Sequence, residues 1–399
     1  MVDTTERTRT RAALPLLGLL AFTLAGFIAI MTETLPAGLL PQISRGLGIS
    51  EGLAGQLLTL YAIGSVVAAV PVIAATRGWN RRPLLLLAVG GLLVFNAVTA
   101  LSTDYALTLA SRFVAGMAAG VVWGLLAGYA RRMVAPRVQG RAVAVVGVGQ
   151  PIALSLGVPL GAWLGSLSDW RGVFWLMSAV ALVLMVWIRV AVPDFPGQEA
   201  GARKPIREVF AMPGIRPVLA VILLWILAHN VLYTYIAPFA AEHGLGGQVP
   251  LLLLLFGVAA VVGIWIAGVF VDRRLRLVAL VSLAAFAASA VVLAVGTAWT
   301  PLLYAGVVLW GLTFGGAPTL LQTAIADAGG ESADVAQSML VTVFNLAVAG
   351  GGAVGGVLLE RVGPGAFPWA LLVLALAALA VVRTARSHGF PSGRRVTGG

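Results

Sequence analysis

The sequence predicts an all-α membrane protein with twelve transmembrane helices in two six-helix pseudo-repeats. Three observations lead to this prediction. Of the 399 residues, 60% are hydrophobic and 10% are charged, a composition that excludes a soluble domain. Apolar stretches about as long as a bilayer is thick recur along the whole chain. The basic residues lie almost entirely in every second loop between these stretches.

Each predicted span is apolar over a length that can cross a bilayer, since a hydrocarbon core of roughly 30 Å takes about 20 helical residues. Spans 1 to 12 are predicted at 13–43, 52–76, 83–101, 104–130, 141–166, 172–192, 214–240, 249–271, 277–296, 301–325, 337–360 and 367–384. Runs that are apolar on every side, such as 84–93 and 251–256, exclude the alternating strands of a β-barrel. Span 1 imitates a signal peptide, but its apolar run is too long, so we predict an uncleaved helix.

The distribution of charge predicts the orientation of the chain. Of the 26 lysines and arginines, 22 lie in the two termini and the loops on their side, 3 lie on the other side, and Arg112 lies inside a span. By the positive-inside rule, both termini are expected in the cytoplasm. The net charge of +11 therefore follows from membrane insertion and does not indicate nucleic-acid binding.

The chain consists of two similar halves. The basic loops that end at Arg82 and Arg276 are 194 residues apart, which is close to half the chain. We predict an N-terminal six-helix bundle over 1–192, a cytoplasmic connector over 193–213, and a C-terminal six-helix bundle with a short tail over 214–399. Parallel repeats of this kind are found in secondary transporters, where they build a central site that opens alternately to the two sides.

Glycine spacing predicts close helix packing. Small residues at four-residue intervals let a neighbouring backbone approach, as expected for span 4. That span carries Gly116, Gly120, Gly124 and Gly128. Span 5 carries Gly157, Gly161 and Gly165, and here Pro159 also favours a functional bend.

One acidic and one basic residue lie inside the predicted spans. Among 15 acidic residues, only Glu33 lies within a span and away from its ends, and Arg112 is its basic counterpart. An ionisable group in hydrocarbon costs several kcal/mol unless it faces a cavity or a partner. We predict that Glu33 carries the proton and that Arg112 stabilises its ionised form or the adjacent helix. Two alternatives stay open: a solvated Glu33 near the outer mouth, and an Arg112 that binds backbone carbonyls at helix kinks.

Neutral polar and aromatic residues inside the spans predict a binding cavity. In span 7, Asn230 and Thr234 share one helix face, with Tyr233 beside them. Such groups suit an uncharged or weakly charged organic molecule, such as a sugar, a nucleoside or an amphiphilic drug. Each residue could instead make an interhelical hydrogen bond, and His229 could be a packed side chain or a proton relay. The predicted binding residues are Trp123, Gln150, His229, Asn230, Tyr233, Thr234, Trp310, Gln322 and Asn345.

The sequence offers no pattern of a membrane enzyme. It contains no cysteine, no His-x-x-x-His pair, no nucleotide-binding loop and no group of carboxylates within a span. We predict neither catalysis nor a metal, and no cofactor other than a proton gradient. A receptor or a structural membrane protein is the alternative from another class.

Three segments resemble one transporter family, the major facilitator superfamily, and within it the bacterial drug and sugar efflux branch of proton antiporters. They are Thr32-Glu-Thr-Leu-Pro-Ala-Gly-Leu-Leu-Pro41, Arg112-Phe-Val-Ala-Gly116-Met-Ala-Ala-Gly120, and Gly157-Val-Pro-Leu-Gly161 with Asp169-Trp-Arg-Gly-Val-Phe174. The resemblance implies the major facilitator fold and export of a drug, sugar or nucleoside in exchange for protons. It also implies a monomer surrounded by lipid in the bacterial cytoplasmic (inner) membrane. Uptake of a sugar or nucleoside by symport or uniport is the alternative.

The family's signature loop follows spans 2 and 8, with an aspartate, an arginine and further basic residues. After span 2, Arg77 falls about where the aspartate belongs, although Arg81 and Arg82 keep the basic pair. After span 8 the match is closer. It reads Gly268-Val-Phe-Val-Asp272-Arg273, with Arg276 beyond. The resemblance implies a gating role for these loop residues and a conformational role for Gly157, Pro159 and Gly161.

Overall fold

The protein is described by a computed structural model that covers residues 14–69, 72, 75, 76, 78–135, 138–167, 169–197, 206–296 and 299–391. Within these residues it contains 12 helices long and apolar enough to cross a membrane, and no β-strand. The predicted all-α membrane class is therefore confirmed. Large apolar side chains cover the outer surface, among them Val190, Trp265 and Leu17, which are 82%, 69% and 68% exposed. This surface suits contact with lipid.

The first half contains spans 1 to 6. Their helices are Leu16–Gly38 with Leu40–Leu47, Glu51–Ala69, Arg81–Leu101, Tyr105–Arg132, Gln139–Gly147 with Gly149–Ile152 and Val158–Leu167, and Trp170–Ala191. Side chains fix two of the helix starts. Asp104 accepts a hydrogen bond from the backbone N–H of Leu107 at 2.8 Å, and Asp169 accepts one from that of Arg171 at 3.0 Å.

The second half contains spans 7 to 12, preceded by a short connector helix at Ile206–Phe210. The helices are Ile215–Thr234 with Ile236–Glu242, Val249–Val295, Thr300–Gly315 with Ala317–Gly329, Ala333–Arg361 and Phe367–Thr384. Spans 8 and 9 lie in the long helix Val249–Val295, which is interrupted at Arg274 by non-helical backbone angles. The basic loop predicted between them is therefore a sharp kink.

Four spans are interrupted inside the membrane, close to prolines. Spans 1, 7 and 10 break at Leu39, Tyr235 and Gly316. Span 5 contains a π-helical turn at Ala153–Gly157, directly before Val158 and Pro159. Proline lacks the N–H that would bind the carbonyl four residues earlier. Either a neighbouring helix supplies another donor for that carbonyl, or the backbone hydrogen bonds within the helix rearrange.

Glycines set the closest packing in both halves. A Cβ atom added at Gly116 of span 4 would lie 1.9 Å from the carbonyl oxygen of Tyr61 in span 2. One added at Gly311 of span 10 would lie 2.3 Å from the carbonyl oxygen of Phe256 in span 8. Both members of the second pair lie 195 residues after their counterparts. The two halves therefore repeat the same backbone contact.

The bundle has two faces. The basic face is the side on which span 1 begins and span 2 ends; the opposite face is the side on which span 1 ends and span 2 begins.

The halves pack against each other through spans 2 and 11 and through spans 5 and 8. At the second contact, a Cβ atom on Gly257 would lie 2.3 Å from the Cα atom of Ser155, within the π-helical turn.

Candidate functional site

Glu33 lies deep in the membrane. The interrupted helix that carries it runs over 16–47, further than predicted, so Glu33 is more than about 20 Å from either end. Its side chain is partly buried and interacts electrostatically with Arg112, Tyr61 and Tyr233. Tyr233 belongs to the second half, so the carboxyl group lies at the boundary between the halves. This depth does not match a solvated carboxylate at the mouth.

Arg112 is fully buried and binds backbone carbonyls of span 1. Its Nη2 donates to the carbonyl of Thr32 and, at 3.4 Å, to that of Glu33. The Thr32 carbonyl has no helical donor because the residue four positions later is Pro36. Among the described residues, no ion pair within 4.0 Å joins Arg112 to Glu33. The guanidinium therefore completes a broken helix and also places positive charge near the carboxyl group.

A group of rings, the ring cluster, fills the second half around His229. It consists of His229, Tyr233, Phe256, Trp310 and Phe314, from spans 7, 8 and 10. The His229 ring stacks on Phe314 with 3.6 Å between centroids and 6° between planes. Its centroid is 5.0 Å from that of Tyr233, 5.3 Å from Trp310 and 5.5 Å from Phe256. The structure thus brings together three of the predicted binding residues.

Asn230 and Thr234, which were predicted with Tyr233, lie on another side of span 7. The Asn230 amide donates to the carbonyl of Ile226 in its own helix at 2.8 Å. A Cβ atom on Gly351 of span 11 would lie 2.5 Å from the Asn230 Cβ. Both polar residues are buried, and Thr234 Oγ1 has no hydrogen-bond partner in the described part of the chain. Asn230 thus packs between spans 7 and 11.

Four other predicted binding residues lie apart from the ring cluster. Trp123 packs against span 1, and Gln150 is partly buried in span 5. The Asn345 amide binds a carbonyl of its own helix, and the Gln322 side chain is exposed. Across the residues that the structure describes, no hydrogen bond or ring contact joins these four to the cluster. Their role in binding stays a prediction.

On the basic face, Arg82 and Arg276 make equivalent contacts in the two halves. Arg82 Nη1 donates to the carbonyl of Val192 at 3.3 Å, directly after span 6. Arg276 Nη1 donates to the carbonyl of Val382 at 2.6 Å, in the last turn of span 12. Both arginines therefore stabilise the C-terminal end of the last helix of their half, where free carbonyls and the helix dipole favour a cation.

The connector supplies an acidic side chain to the loop before span 3. The Asp194 carboxylate accepts hydrogen bonds from the Asn80 amide and from the backbone N–H of Arg82, both at 3.0 Å. A negative charge at a helix N-terminus is favourable. Asp194 thus provides a carboxylate near a loop whose own sequence has an arginine where the family has an aspartate.

The remaining loop residues predicted to act in gating are only partly described. Arg77 and the side chain of Asp272 lie outside the described residues. Arg81 is buried at the start of span 3, and Arg273 is exposed. A gating role for this set stays a prediction.

The glycine row of span 5 faces span 1. A Cβ atom on Gly157 would lie 2.4 Å from the sulfur of Met31, and one on Gly161 would lie 2.3 Å from a methyl carbon of Leu35. Pro159 is buried between these positions. The row therefore packs spans 1 and 5 of the same half, whereas the neighbouring π-helical turn meets span 8 of the other half.

Towards the opposite face, the halves are joined by hydrogen bonds around Tyr235. The Tyr235 hydroxyl donates to the carbonyl of Gly352 in span 11 at 2.8 Å. The Gln56 amide of span 2 donates to this hydroxyl and to the same carbonyl, each at 3.3 Å. Nearer the surface, Ser50 donates to the Glu360 carboxylate at 2.6 Å. Together with the packing of spans 5 and 8, these contacts close the bundle on this side.

Sequence reasoning missed several residues that the structure brings to the site, namely Tyr61, Asp194, Tyr235, Phe256 and Phe314. Two phenylalanines in apolar spans look like ordinary lipid or core contacts. Tyr235 did carry a signal, because the segment Tyr233-Thr234-Tyr235 places three consecutive hydroxyl-bearing residues in an apolar helix.

These features define a class of protein. Two six-helix halves meet around an ionisable residue at mid-membrane depth, and helices 1, 7 and 10 are discontinuous. Discontinuous helices and a site at the repeat interface are the architecture of secondary transporters.

The chain belongs to the major facilitator superfamily of transporters. The family model described as Major Facilitator Superfamily matches residues 22–347. The chain is 33% identical over 390 residues to the transcription regulatory protein OpdE of Pseudomonas aeruginosa, covering 94% of this chain and 95% of that protein. It is 31% identical over 340 residues to the purine ribonucleoside efflux pump NepI of Escherichia coli, covering 84% and 85%.

A solved structure supports the same fold. The human organic anion transporter MFSD10 (TETRAN) superimposes with a TM-score of 0.68 at 18% sequence identity, covering 93% of this chain and 100% of that one. The predicted major facilitator fold is therefore confirmed.

Proposed function

We propose that this chain exports a small organic molecule from bacteria in exchange for protons, by alternating access. It lies in the cytoplasmic membrane, with the basic face and both termini in the cytoplasm, as the positive-inside rule indicates. The transported molecule is a nucleoside, a sugar or an amphiphilic drug. The proton gradient is the energy source, and the monomer is the working unit.

The position of Glu33 carries the proposal. A carboxyl group deep in a bilayer is costly as an anion, and it is functional by default when it faces a partner. Burial favours the neutral acid, while the nearby Arg112 guanidinium favours the carboxylate. Opening of the bundle to either side changes the balance between these two effects, so proton occupancy can follow the conformation. Proton antiport requires this coupling.

The comparison with known proteins supports export. Among the relatives, NepI is named as an efflux pump for purine ribonucleosides. This name favours nucleosides within the proposed substrate range. OpdE is named as a transcription regulator, but Glu33 and Arg112 inside the membrane favour transport for this chain.

The proposal is tested with the full chain reconstituted in liposomes. Labelled adenosine and arabinose, followed by a panel of antibiotics, are added with an imposed pH gradient. Antiport accumulates the substrate when the lumen is acidic, whereas symport accumulates it when the outside is acidic. We expect accumulation with an acidic lumen.

Glu33→Gln removes the titrating group and keeps a similar shape. Gradient-driven accumulation should fall to the level of protein-free liposomes, while exchange of labelled for unlabelled substrate continues. Glu242→Gln, at an exposed acid at the end of span 7, serves as the control and should transport like the unmodified protein. Undiminished coupling in Glu33→Gln would contradict the proposal.

A further inference from the structure

The ring cluster contains buried polar atoms that lack partners. Within the described part of the chain, His229 Nδ1, the Tyr233 hydroxyl and Trp310 Nε1 have no hydrogen-bond partner. More than about 90% of buried polar groups in proteins are paired, and each unpaired one costs about 1–3 kcal/mol. Three such atoms in one group of five rings indicate a missing binding partner.

The cluster lies where two spans are interrupted. Span 7 breaks at Tyr235, two residues after Tyr233, and span 10 breaks at Gly316, two residues after Phe314. Discontinuous helices near mid-membrane depth form substrate sites in transporters built from repeats. His229 lies about halfway along 215–242, the full length of span 7. The unpaired atoms are thus at the depth expected of a substrate.

The cluster also lies near Glu33. Tyr233 belongs to span 7, and this span contacts span 1, the helix that carries Glu33. His229 and Phe314 are each 7% exposed, compared with 1% for Tyr233 and Trp310 and 2% for Phe256. The stacked pair of His229 and Phe314 is therefore the least buried part of the cluster, where a flat molecule that enters between the halves would meet the stack first.

We infer that the ring cluster is the subsite for a planar, nitrogen-containing heteroaromatic ring of the transported molecule. This inference rests on the proposed transport function. The ring stacks on Phe314 and His229, and acceptor atoms on its edge receive hydrogen bonds from the Tyr233 hydroxyl and Trp310 Nε1. A sugar without such a ring satisfies the hydrogen bonds but loses the stacking, so the subsite selects nucleobase-like compounds over simple sugars.

Binding to the purified full chain in detergent tests the subsite without any proton gradient. Equilibrium dialysis with labelled adenosine, guanosine and arabinose measures the dissociation constants. Adenosine and guanosine should bind more tightly than arabinose by about 5- to 150-fold, since stacking of one base on an aromatic side chain contributes on that order. Phe314→Leu should weaken binding of both nucleosides by a similar factor and leave arabinose nearly unchanged.

Two variants that keep the ring isolate the hydrogen bonds. Tyr233→Phe and Trp310→Phe should each weaken nucleoside binding by about 2- to 12-fold, the effect of losing one hydrogen bond. Trp225→Phe is the matched control. Its indole nitrogen is also buried without a partner among the described residues, but its ring is separated from Phe314 by Phe286, which contacts both rings. This variant should bind like the unmodified protein.

The outcomes separate the two proposals. The subsite is wrong if neither nucleoside binds, if arabinose binds as tightly, or if Tyr233→Phe and Trp310→Phe bind as well as Trp225→Phe does. Because these three variants keep an aromatic ring, they remain informative even if Phe314→Leu fails to fold. Binding as expected without any transport driven by a pH gradient would overturn the proposed antiport and leave the subsite intact.

Discussion

At the scale of single residues, Arg112 and Pro36 act on the same carbonyl group. Pro36 removes the N–H that would bind the Thr32 oxygen, and Arg112 replaces it from another helix. The same guanidinium lies near Glu33. One cation therefore binds the free carbonyl of span 1 and also places positive charge near the carboxyl group. A structural role and the proposed role in proton coupling therefore belong to one side chain.

A double-variant experiment tests the structural role of Arg112. Arg112→Gln should cost about 1.5–3 kcal/mol, the contribution of hydrogen bonds from a charged donor, and lower the melting temperature of the purified protein. Pro36→Ala restores a backbone N–H that can bind the Thr32 carbonyl. When it is added to Arg112→Gln, the double variant should regain about 1 kcal/mol of the lost stability. Pro238→Ala, which replaces a proline in span 7, is the control. Added to Arg112→Gln, it should regain none of the lost stability. The interpretation is wrong if Pro36→Ala leaves the loss unchanged.

At the scale of helices, backbone contacts between spans 2 and 4 and between spans 8 and 10 hold each half together. The oxygens opposite Gly116 and Gly311 belong to the backbone, which cannot turn aside as a side chain can. The spacing of glycines predicted close packing of span 4, which is confirmed at Gly116 and Gly120, whereas Gly128 meets nothing within 4 Å. It could not identify span 2 as the neighbour, because the partner depends on how the helices are arranged in three dimensions.

Alanine substitutions along span 4 test this packing. Gly116→Ala should destabilise the protein by about 1–3 kcal/mol or more, because the new methyl group overlaps the Tyr61 carbonyl oxygen. Gly128→Ala meets nothing within 4 Å, and alanine favours helix by up to about 1 kcal/mol, so this control should be neutral or stabilising. Melting temperatures of the two purified variants provide the measurement. Equal melting temperatures would contradict the close contact.

The sequence was sufficient to predict the helices but not to predict which residues contact each other between helices. Length and apolar composition are local properties, so all twelve spans could be predicted, as could the rarity of Glu33 and Arg112. The contact of Arg112 with a carbonyl and the gathering of Phe256 and Phe314 around His229 depend on neighbours distant in sequence. Because span 7 breaks at Tyr235, two nearly adjacent residues also have different neighbours. Tyr233 lies in the ring cluster, whereas Tyr235 binds Gly352 and Gln56.

At the scale of the whole molecule, the two halves meet through spans 2 and 11 and through spans 5 and 8, and one buried apolar core continues from one half into the other. Hydrogen bonds from Gln56 to Tyr235 and Gly352, and the bond from Ser50 to Glu360, join span 2 to the second half. Hydrogen bonds in proteins contribute about 1 kcal/mol each on balance, so a small number of them can close one side and still open during transport. Alternating access requires such a weak closure.

A disulfide across this closure tests whether it must open. The chain contains no cysteine, so pairs can be introduced without further changes. A Cβ atom on Gly352 would lie 3.6 Å from the Thr59 Cβ, within the range that a disulfide needs. Oxidation of the Thr59→Cys/Gly352→Cys variant in liposomes should abolish transport, and a reductant should restore it. The control pair Gly329→Cys/Ala333→Cys, with 3.9 Å between the corresponding atoms, lies within one half and should transport in both redox states. Full transport by the oxidised Thr59→Cys/Gly352→Cys variant, with the cross-link verified by mass spectrometry, would show that spans 2 and 11 need not separate.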